Sequence, residues 1–356
     1  MDRPVEVERL KDYAKQVFGA LQGAVTAGMI HLGDRLGLYR ALAAGPATSA
    51  ELAARTGLDE RWVREWLRQQ GAARLLEWDA QERFSLSPEG RAVLAEENHP
   101  AFGGGMFCNL PQTMAVLERL PEAFASGRGL PYDAFGPEGA RGIERGFAPW
   151  TRAFLAPLAI ASLEGVKERL ERGARVADVG CGAGVALLSL ARAFPRSEFH
   201  GFELSRHALA RAETNRAEEG LANVSFHETR GEELPAEPGF DLVLSLDCLH
   251  DMTRPAEVAA AVRRALRPGG TWFVADIKGR GSFAADVEKN PMAALMYGMS
   301  VLTCMSSALS EPGGAGLGTL GLPEPAMRAL GEAAGFTRFR ALDLGHPVNA
   351  FYELRP

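Results

Sequence analysis

The chain is short of cysteine and lysine, and it lacks any apolar run fit to lie in lipid. Its four cysteines (Cys108, Cys181, Cys248 and Cys304) are scattered without a C-x-x-C pair, so neither a disulfide framework nor a structural zinc site has support, and no metal is expected. Two stretches carry no charge, Gln16–Gly33 and Asn290–Ser310. Both hold glycine, amide or hydroxyl residues, too polar for lipid-facing helices, and they read as buried helices. The start, Met1-Asp2-Arg3-Pro4-Val5-Glu6, is charged from its second residue and is no secretory signal. A cytoplasmic protein with no membrane partner is expected. Excess positive charge is also missing. With 39 basic against 45 acidic residues the net charge is −6, which argues against affinity built on phosphate neutralisation. What is present is ordinary for a globular chain: 356 residues, 46% of them hydrophobic, enough for about two domains. The absence of low-complexity tracts excludes disorder on the scale of a domain.

Residues 5–45 read as helices, with Val17, Leu21, Val25 and Met29 spaced four apart. A helix–turn–helix pattern follows. Thr48 and Glu51 form a capping box, Gly57-Leu58 makes the turn, and Asp59 caps a second helix running to about Gln70. Leu75–Leu86 alternates around a polar turn, as a β-hairpin wing does, and Ser87-Pro88-Glu89-Gly90 opens another helix. Residues 97–165, rich in glycine, proline and aromatics, read as short helices and loops between domains. From Arg175 strands alternate with helices. Strands are expected at Arg175–Val179, Glu198–Phe202, Val224–Glu228, Asp241–Leu246 and Thr271–Ile277. A helix at Glu324–Ala334 and a closing pair, Thr337–Leu344 and Ala350–Leu354, complete an α/β sheet.

The strongest signal is Asp178-Val179-Gly180-Cys181-Gly182-Ala183-Gly184, which follows a buried strand and opens the helix Val185–Phe194. Its glycines let the backbone turn sharply and approach a ligand closely. A dinucleotide fingerprint needs G-x-G-x-x-G, but Val185 and Leu187 occupy the places of the third glycine, and the pattern is D-x-G-x-G-x-G. Glu203 ends the second strand, where a carboxylate can accept hydrogen bonds from both ribose hydroxyls of a nucleoside.

Here the chain resembles the class I S-adenosylmethionine-dependent methyltransferases, over about residues 170–356. Three further landmarks fall in order: Gly231-Glu232-Glu233-Leu234-Pro235, Asp241 to Asp251, and Leu266-Arg267-Pro268-Gly269-Gly270. The resemblance implies a Rossmann-like sheet, S-adenosylmethionine as cofactor and S-adenosylhomocysteine as product. It assigns cofactor contacts to Asp178, Gly180, Cys181, Gly182 and Gly184 in the loop, and to Glu203 and Leu204 after the second strand. Gly231 and Glu232 fall at the adenine turn, where an alternative register places Arg230, and Leu246 and Asp247 follow the fourth strand. The pair His250-Asp251 is similar to the His-Asp of plant-type and hydroxyindole-type O-methyltransferases, in which the histidine deprotonates the acceptor hydroxyl. Imidazole suits that task because its pKa lies near neutrality. His250 equally fits a packing role, and Asp251 either orients it or caps a helix.

The expected organisation is a helical and winged-helix domain of dimerisation type (1–97), a helical connector bordering the substrate pocket (98–169) and a methyltransferase domain (170–356). The expected reaction is methyl transfer to a small-molecule hydroxyl. N-, C- or S-methylation, a cofactor-binding winged-helix regulator, and a member of the fold that catalyses a non-methyl reaction are the alternatives. Met292, Met296 and Met299 recur along one helix face and read as core or as pocket wall. Arg61, Arg64 and Arg68 share a face of the second winged-helix helix, but Glu60 and Glu65 interrupt it, so a solvated, ion-paired face is favoured over a nucleic-acid contact. The resemblance implies that this module dimerises, and the charge-free segment Gln16–Gly33, too apolar to leave exposed, is expected in a homodimer interface of a protein acting on a small molecule.

Overall fold

The computed structural model describes residues 4–235, 237 and 239–356; Met1–Arg3, half of the charged start, lie outside them. The chain divides into two compact units, residues 1–111 and 112–356.

In the first unit, a 29-residue helix (Val7–Arg35) leads into the winged-helix block. The block's helices start where their caps dictate. Thr48 and Glu51 satisfy each other's backbone N–H groups, and the Asp59 carboxylate accepts from the amides of Arg61 and Trp62. The wing is a minimal hairpin of β1 (Glu77–Trp78) and β2 (Phe84–Ser85). Leu38, Tyr39, Leu52, Trp66, Leu67 and Phe84 form the core. Trp66 sits edge-on to Tyr39 at 5.1 Å, and its indole N–H donates to the Met29 carbonyl at 2.9 Å.

Within the single chain, Gln16–Gly33 is buried only toward its end. Ile30, His31 and Gly33 are buried, but Val17, Phe18, Leu21 and Val25 are more than half exposed. The helix reaches the winged-helix core only in its last turns. The other charge-free stretch, Asn290–Ser310, is helical through Ala308 and buries one face, with Ala293, Met296, Ser300 and Ser306 inside and Met292 and Leu295 outside.

The second unit is built on a seven-stranded sheet: β3 (Arg175–Val179), β4 (Glu198–Glu203), β5 (Val224–Glu228), β6 (Phe240–Leu246), β7 (Leu266–Ile277), β8 (Arg338–Leu342) and β9 (Asn349–Arg355). The strand order is 5-4-3-6-7-9-8. The first five strands are parallel, and β9 runs antiparallel to both its neighbours. Period-two alternation divides the side chains. Val176, Leu242, Leu244 and Phe273 pack on one face, while Ala177, Val179, Val243, Trp272 and Val274 pack on the other. The turn expected before the fifth strand, Leu266–Gly270, is already part of β7, with a register shift opposite Phe240 and Leu242.

The loop after β3 depends on glycine at Gly184. Its φ is +76°, and an added Cβ would lie 2.5 Å from the Phe226 ring. Gly184→Ala should lower the free energy of urea unfolding by about 2 kcal/mol or more, from the left-handed backbone and the clash together; an unchanged unfolding midpoint would contradict this packing.

Candidate active site

Chain order reverses between β3 and β6: β4 and β5 extend one way from β3, and β6 and β7 the other. Open α/β sheets bind ligands beyond the carboxyl ends of strands at such a point, because the loops there part. A cavity of about 270 Å³ lies here. Of the residues singled out from sequence, β3 contributes Asp178 to its wall, and the loop after β3 contributes Gly180, Cys181 and Gly182. Glu203 and Leu204 follow β4, Gly231 and Glu232 lie after β5, and Leu246, Asp247 and Asp251 come from β6 and the turn beyond it. Gly184 and His250 are not part of the wall. Gly184 serves the turn, and His250 is buried immediately behind it, 3% exposed.

Glu203 stitches two loops together. One carboxylate oxygen accepts from the Gly182 amide at 2.9 Å, the other from the Leu204 and Ser205 amides at 2.8 Å each. Burial raises its pKa, which those three backbone donors partly offset. Asp178 is fully buried; burial, with Glu203 nearby, pushes its pKa up to about 8, and its Oδ1 has no hydrogen-bond partner. At the adenine-type turn both registers weighed from sequence face the cavity. The Arg230 guanidinium bridges Glu232 at 2.8 Å and Glu311 at 2.8 and 3.0 Å.

Beyond β6 the backbone is unusual. Asp247 is a non-glycine residue at φ +52°, and its carboxylate accepts from the Asn349 side-chain amide. Burial pushes both Asp247 and Asp251 up to about 7. The partner of His250 is not Asp251, as one sequence reading had it, but Asp276 near the end of β7. His250 Nδ1 donates to Asp276 Oδ1 at 2.6 Å, and both side chains are almost wholly buried. Burial alone disfavours the imidazolium. The Asp276 carboxylate and its hydrogen bond, with Cys304 and Asp251 alongside, outweigh that and raise the ring's pKa well above its usual value. Sequence could not reveal this pair, because its two members are 26 residues apart and meet only through the pairing of β6 and β7.

The segment expected to border the substrate pocket does so, through residues the sequence reading did not name. Tyr132, Glu144, Phe147 and Trp150 line the cavity from the segment read as connector. Glu144 is fixed by Arg211 and Asn215, and Trp150 stacks on Phe154 and Phe351. The Trp150 indole N–H is buried without a partner. The density of aromatics in this segment was the available signal.

Residues 170–311 match a family described as a methyltransferase domain, and residues 24–96 match an Rv2258c-like winged HTH domain. The chain carries a methyltransferase domain. Over 107 residues it is 41% identical to the ubiquinone biosynthesis O-methyltransferase of Ralstonia nicotianae, covering 30% of this chain and 44% of that protein. The corresponding protein of Methylococcus capsulatus is 38% identical over 103 residues, 28% of this chain and 42% of its own length. The chain thus spans under half the length of these curated relatives. Solved structures share the fold over the whole chain. Human N-acetylserotonin methyltransferase, in complex with S-adenosylmethionine, has TM-score 0.69 at 17% identity, covering 100% of this chain and 99% of its own. An O-methyltransferase family protein from Burkholderia thailandensis has TM-score 0.68 at 18% identity, covering 99% of each.

The raised carboxyl groups of the methyltransferase domain set its pH response. Their folded pKa values lie above the unfolded carboxylate range near 4, so their stability contribution is complete below that range. It is lost as pH rises through about 7 to 8. His250, raised from its own ordinary value, acts in the same direction. The ligand-free protein should therefore melt at a lower temperature at pH 9 than at pH 6, with Asp178→Asn reducing the difference; equal melting temperatures in the wild type would contradict the burial of these acids.

Proposed function

We propose that the chain moves a methyl group from S-adenosylmethionine to a hydroxyl of a small-molecule acceptor, with His250 as general base. The observation that carries this reading is a pair of unsatisfied buried groups of opposite kind on one cavity wall, the Asp178 Oδ1 acceptor and the Trp150 N–H donor. Orphaned buried polar atoms are costly, and on a cavity wall a ligand can satisfy them. The amino-acid end of S-adenosylmethionine offers both counterparts, an ammonium for Asp178 and a carboxylate for Trp150. Glu203 would receive the ribose hydroxyls, and the turn Arg230-Gly231-Glu232 the adenine. A cavity walled by Asp178, Glu203, Asp247 and Asp251 also suits a ligand that carries positive charge.

When bound, the cofactor supplies an electrophilic methyl on a sulfonium. The chain aligns the acceptor, excludes water and takes the hydroxyl proton. Asp276, by accepting from Nδ1, fixes the tautomer that leaves Nε2 free as a base and balances the imidazolium once formed. Because the Asp276 carboxylate raises the ring's pKa, the neutral base becomes available as pH rises, and the rate rises with it.

With catechol as probe acceptor and methyl-labelled cofactor, His250→Ala should lower kcat and kcat/KM together by about 10²–10⁴-fold, leaving S-adenosylhomocysteine affinity nearly unchanged. Normal turnover in that variant would make His250 structural. Glu203→Ala should weaken S-adenosylhomocysteine by about 1.5–3 kcal/mol, the scale of a charge-assisted hydrogen bond, and NAD should not bind. Equal affinity in mutant and wild type removes Glu203 from the site.

The 1–97 domain is read as a dimerisation module and 98–169 as the connector bordering the acceptor. No described helix is long and apolar enough to cross a membrane, and a cytoplasmic homodimer is proposed. The support for dimerisation is the stripe of Leu10, Val17, Leu21 and Val25, more than half exposed on one long helix. Regulation through DNA is disfavoured, because Arg61, Arg64 and Arg68 each pair with a glutamate. Light scattering should give twice 38.2 kDa, and a single species at 38.2 kDa at micromolar concentration would refute the dimer.

A further inference from the structure

Asp247 stands on the cavity wall with a left-handed backbone, φ +52°, which a non-glycine residue keeps only where its surroundings hold it. The groups that hold it lie far along the chain. Its backbone N–H donates to the Ala275 carbonyl at 2.8 Å, and its carboxylate accepts from the side-chain amide of Asn349, the first residue of β9. Strand register brings them together. Leu246 pairs with Ala275 across β6 and β7, and Asp276 and Ile277 pair with Ala350 and Asn349 across β7 and β9. Asp247, Asp276 and Asn349 therefore meet at one end of three adjacent strands. Asn349 is only 6% exposed and is itself fixed. Its backbone N–H donates to His346 Nδ1 at 2.9 Å, and the His346 ring packs edge-on to Trp150, Phe154 and Phe351, with centroids 5.7–5.9 Å apart.

The carboxylate so held is not sealed in: Asp247 is half-buried and keeps accessible surface on the cavity wall. Its neighbour Asp276 holds His250, so Asp247 stands on the side of the cavity where the base is. A methyl group has to be presented to its acceptor on that side. The atom carrying it is a sulfonium in S-adenosylmethionine, whereas the corresponding sulfur of S-adenosylhomocysteine is a neutral thioether. A carboxylate facing that atom attracts the first and gains nothing comparable from the second. We propose that Asn349 is a positioning residue for cofactor selection: its amide keeps the Asp247 carboxylate turned to the cavity, and that carboxylate distinguishes the sulfonium from the product thioether. The proposal rests on the methyltransferase reading, and it adds a charge-selective contact at the reacting end, supported by the last strand of the sheet.

The test needs no acceptor. The full chain is titrated by calorimetry with S-adenosylmethionine, with S-adenosylhomocysteine, and with sinefungin, in which a protonated amine stands in place of the sulfonium. The readout is the preference for the two cations over the thioether. Asn349→Leu, close in size but without the donor, should reduce that preference by about tenfold, a modest share of one charge–charge attraction at a partly buried site. S-adenosylhomocysteine itself should bind within about threefold of wild type, a loss smaller than that of one typical hydrogen bond. Asn349→Gln, which keeps a donor, should recover part of the preference. Asp247→Asn should show the same loss as Asn349→Leu, and it decides the question where the leucine variant fails to fold, because it takes an acid out of a crowded acidic cluster. An unchanged preference in Asp247→Asn overturns the proposal, and so does an unchanged preference in a folded Asn349→Leu. Equal weakening of all three ligands also overturns it, since that makes Asn349 and Asp247 packing residues. If none of the three binds to the wild type, the methyltransferase reading falls and takes the proposal with it; binding of all three with an unaltered preference in the variants strikes the proposal alone.

Discussion

Parallel strands that end together bring whatever follows them together, and here four neighbouring strands end in acids. Asp178 lies next to last in β3, Glu203 closes β4, Asp247 and Asp251 follow β6, and Asp276 lies next to last in β7. Burying carboxyl groups side by side is unfavourable, and the rest of the site answers that cost. Three backbone amides hold Glu203, Asn349 donates to Asp247, His250 to Asp276, and Arg230 gathers Glu232 and Glu311 at the rim. What these partners leave unmet, Asp178 above all, defines what a ligand has to bring.

The cofactor half of the site was legible in sequence because its determinants are local. The glycine loop, its preceding strand and Glu203 lie within a short stretch whose spacing follows from one βαβ unit. The acceptor half was not legible. Asp276 reaches His250 through strand pairing, and Trp150 lies in a segment expected to border the pocket but none of whose residues the sequence singled out. Sequence placed Asp251 beside His250 by adjacency, but successive residues in a tight turn point apart, and Asp251 faces the cavity while His250 faces the sheet.

The winged-helix unit shows the same division. Capping residues and the apolar pattern marked its helices, since those signals act over three or four positions. Whether the long helix preceding it is buried depends on what covers it. Gln16–Gly33 was read as a buried helix belonging to a homodimer interface, and in the single chain most of it is exposed. Lack of charge says that a surface wants covering, not that the same chain covers it.

The central claim is that a cationic ligand completes this acidic cavity. Its most direct test is calorimetric titration of S-adenosylmethionine at pH 6.5 and 8.5, each in two buffers of different ionisation enthalpy. The account predicts that binding releases protons, because the cation favours ionised forms of carboxyl groups whose pKa values lie near 7 to 8, and that affinity rises between the two pH values. No binding, or binding that releases no protons and is indifferent to pH, would contradict it.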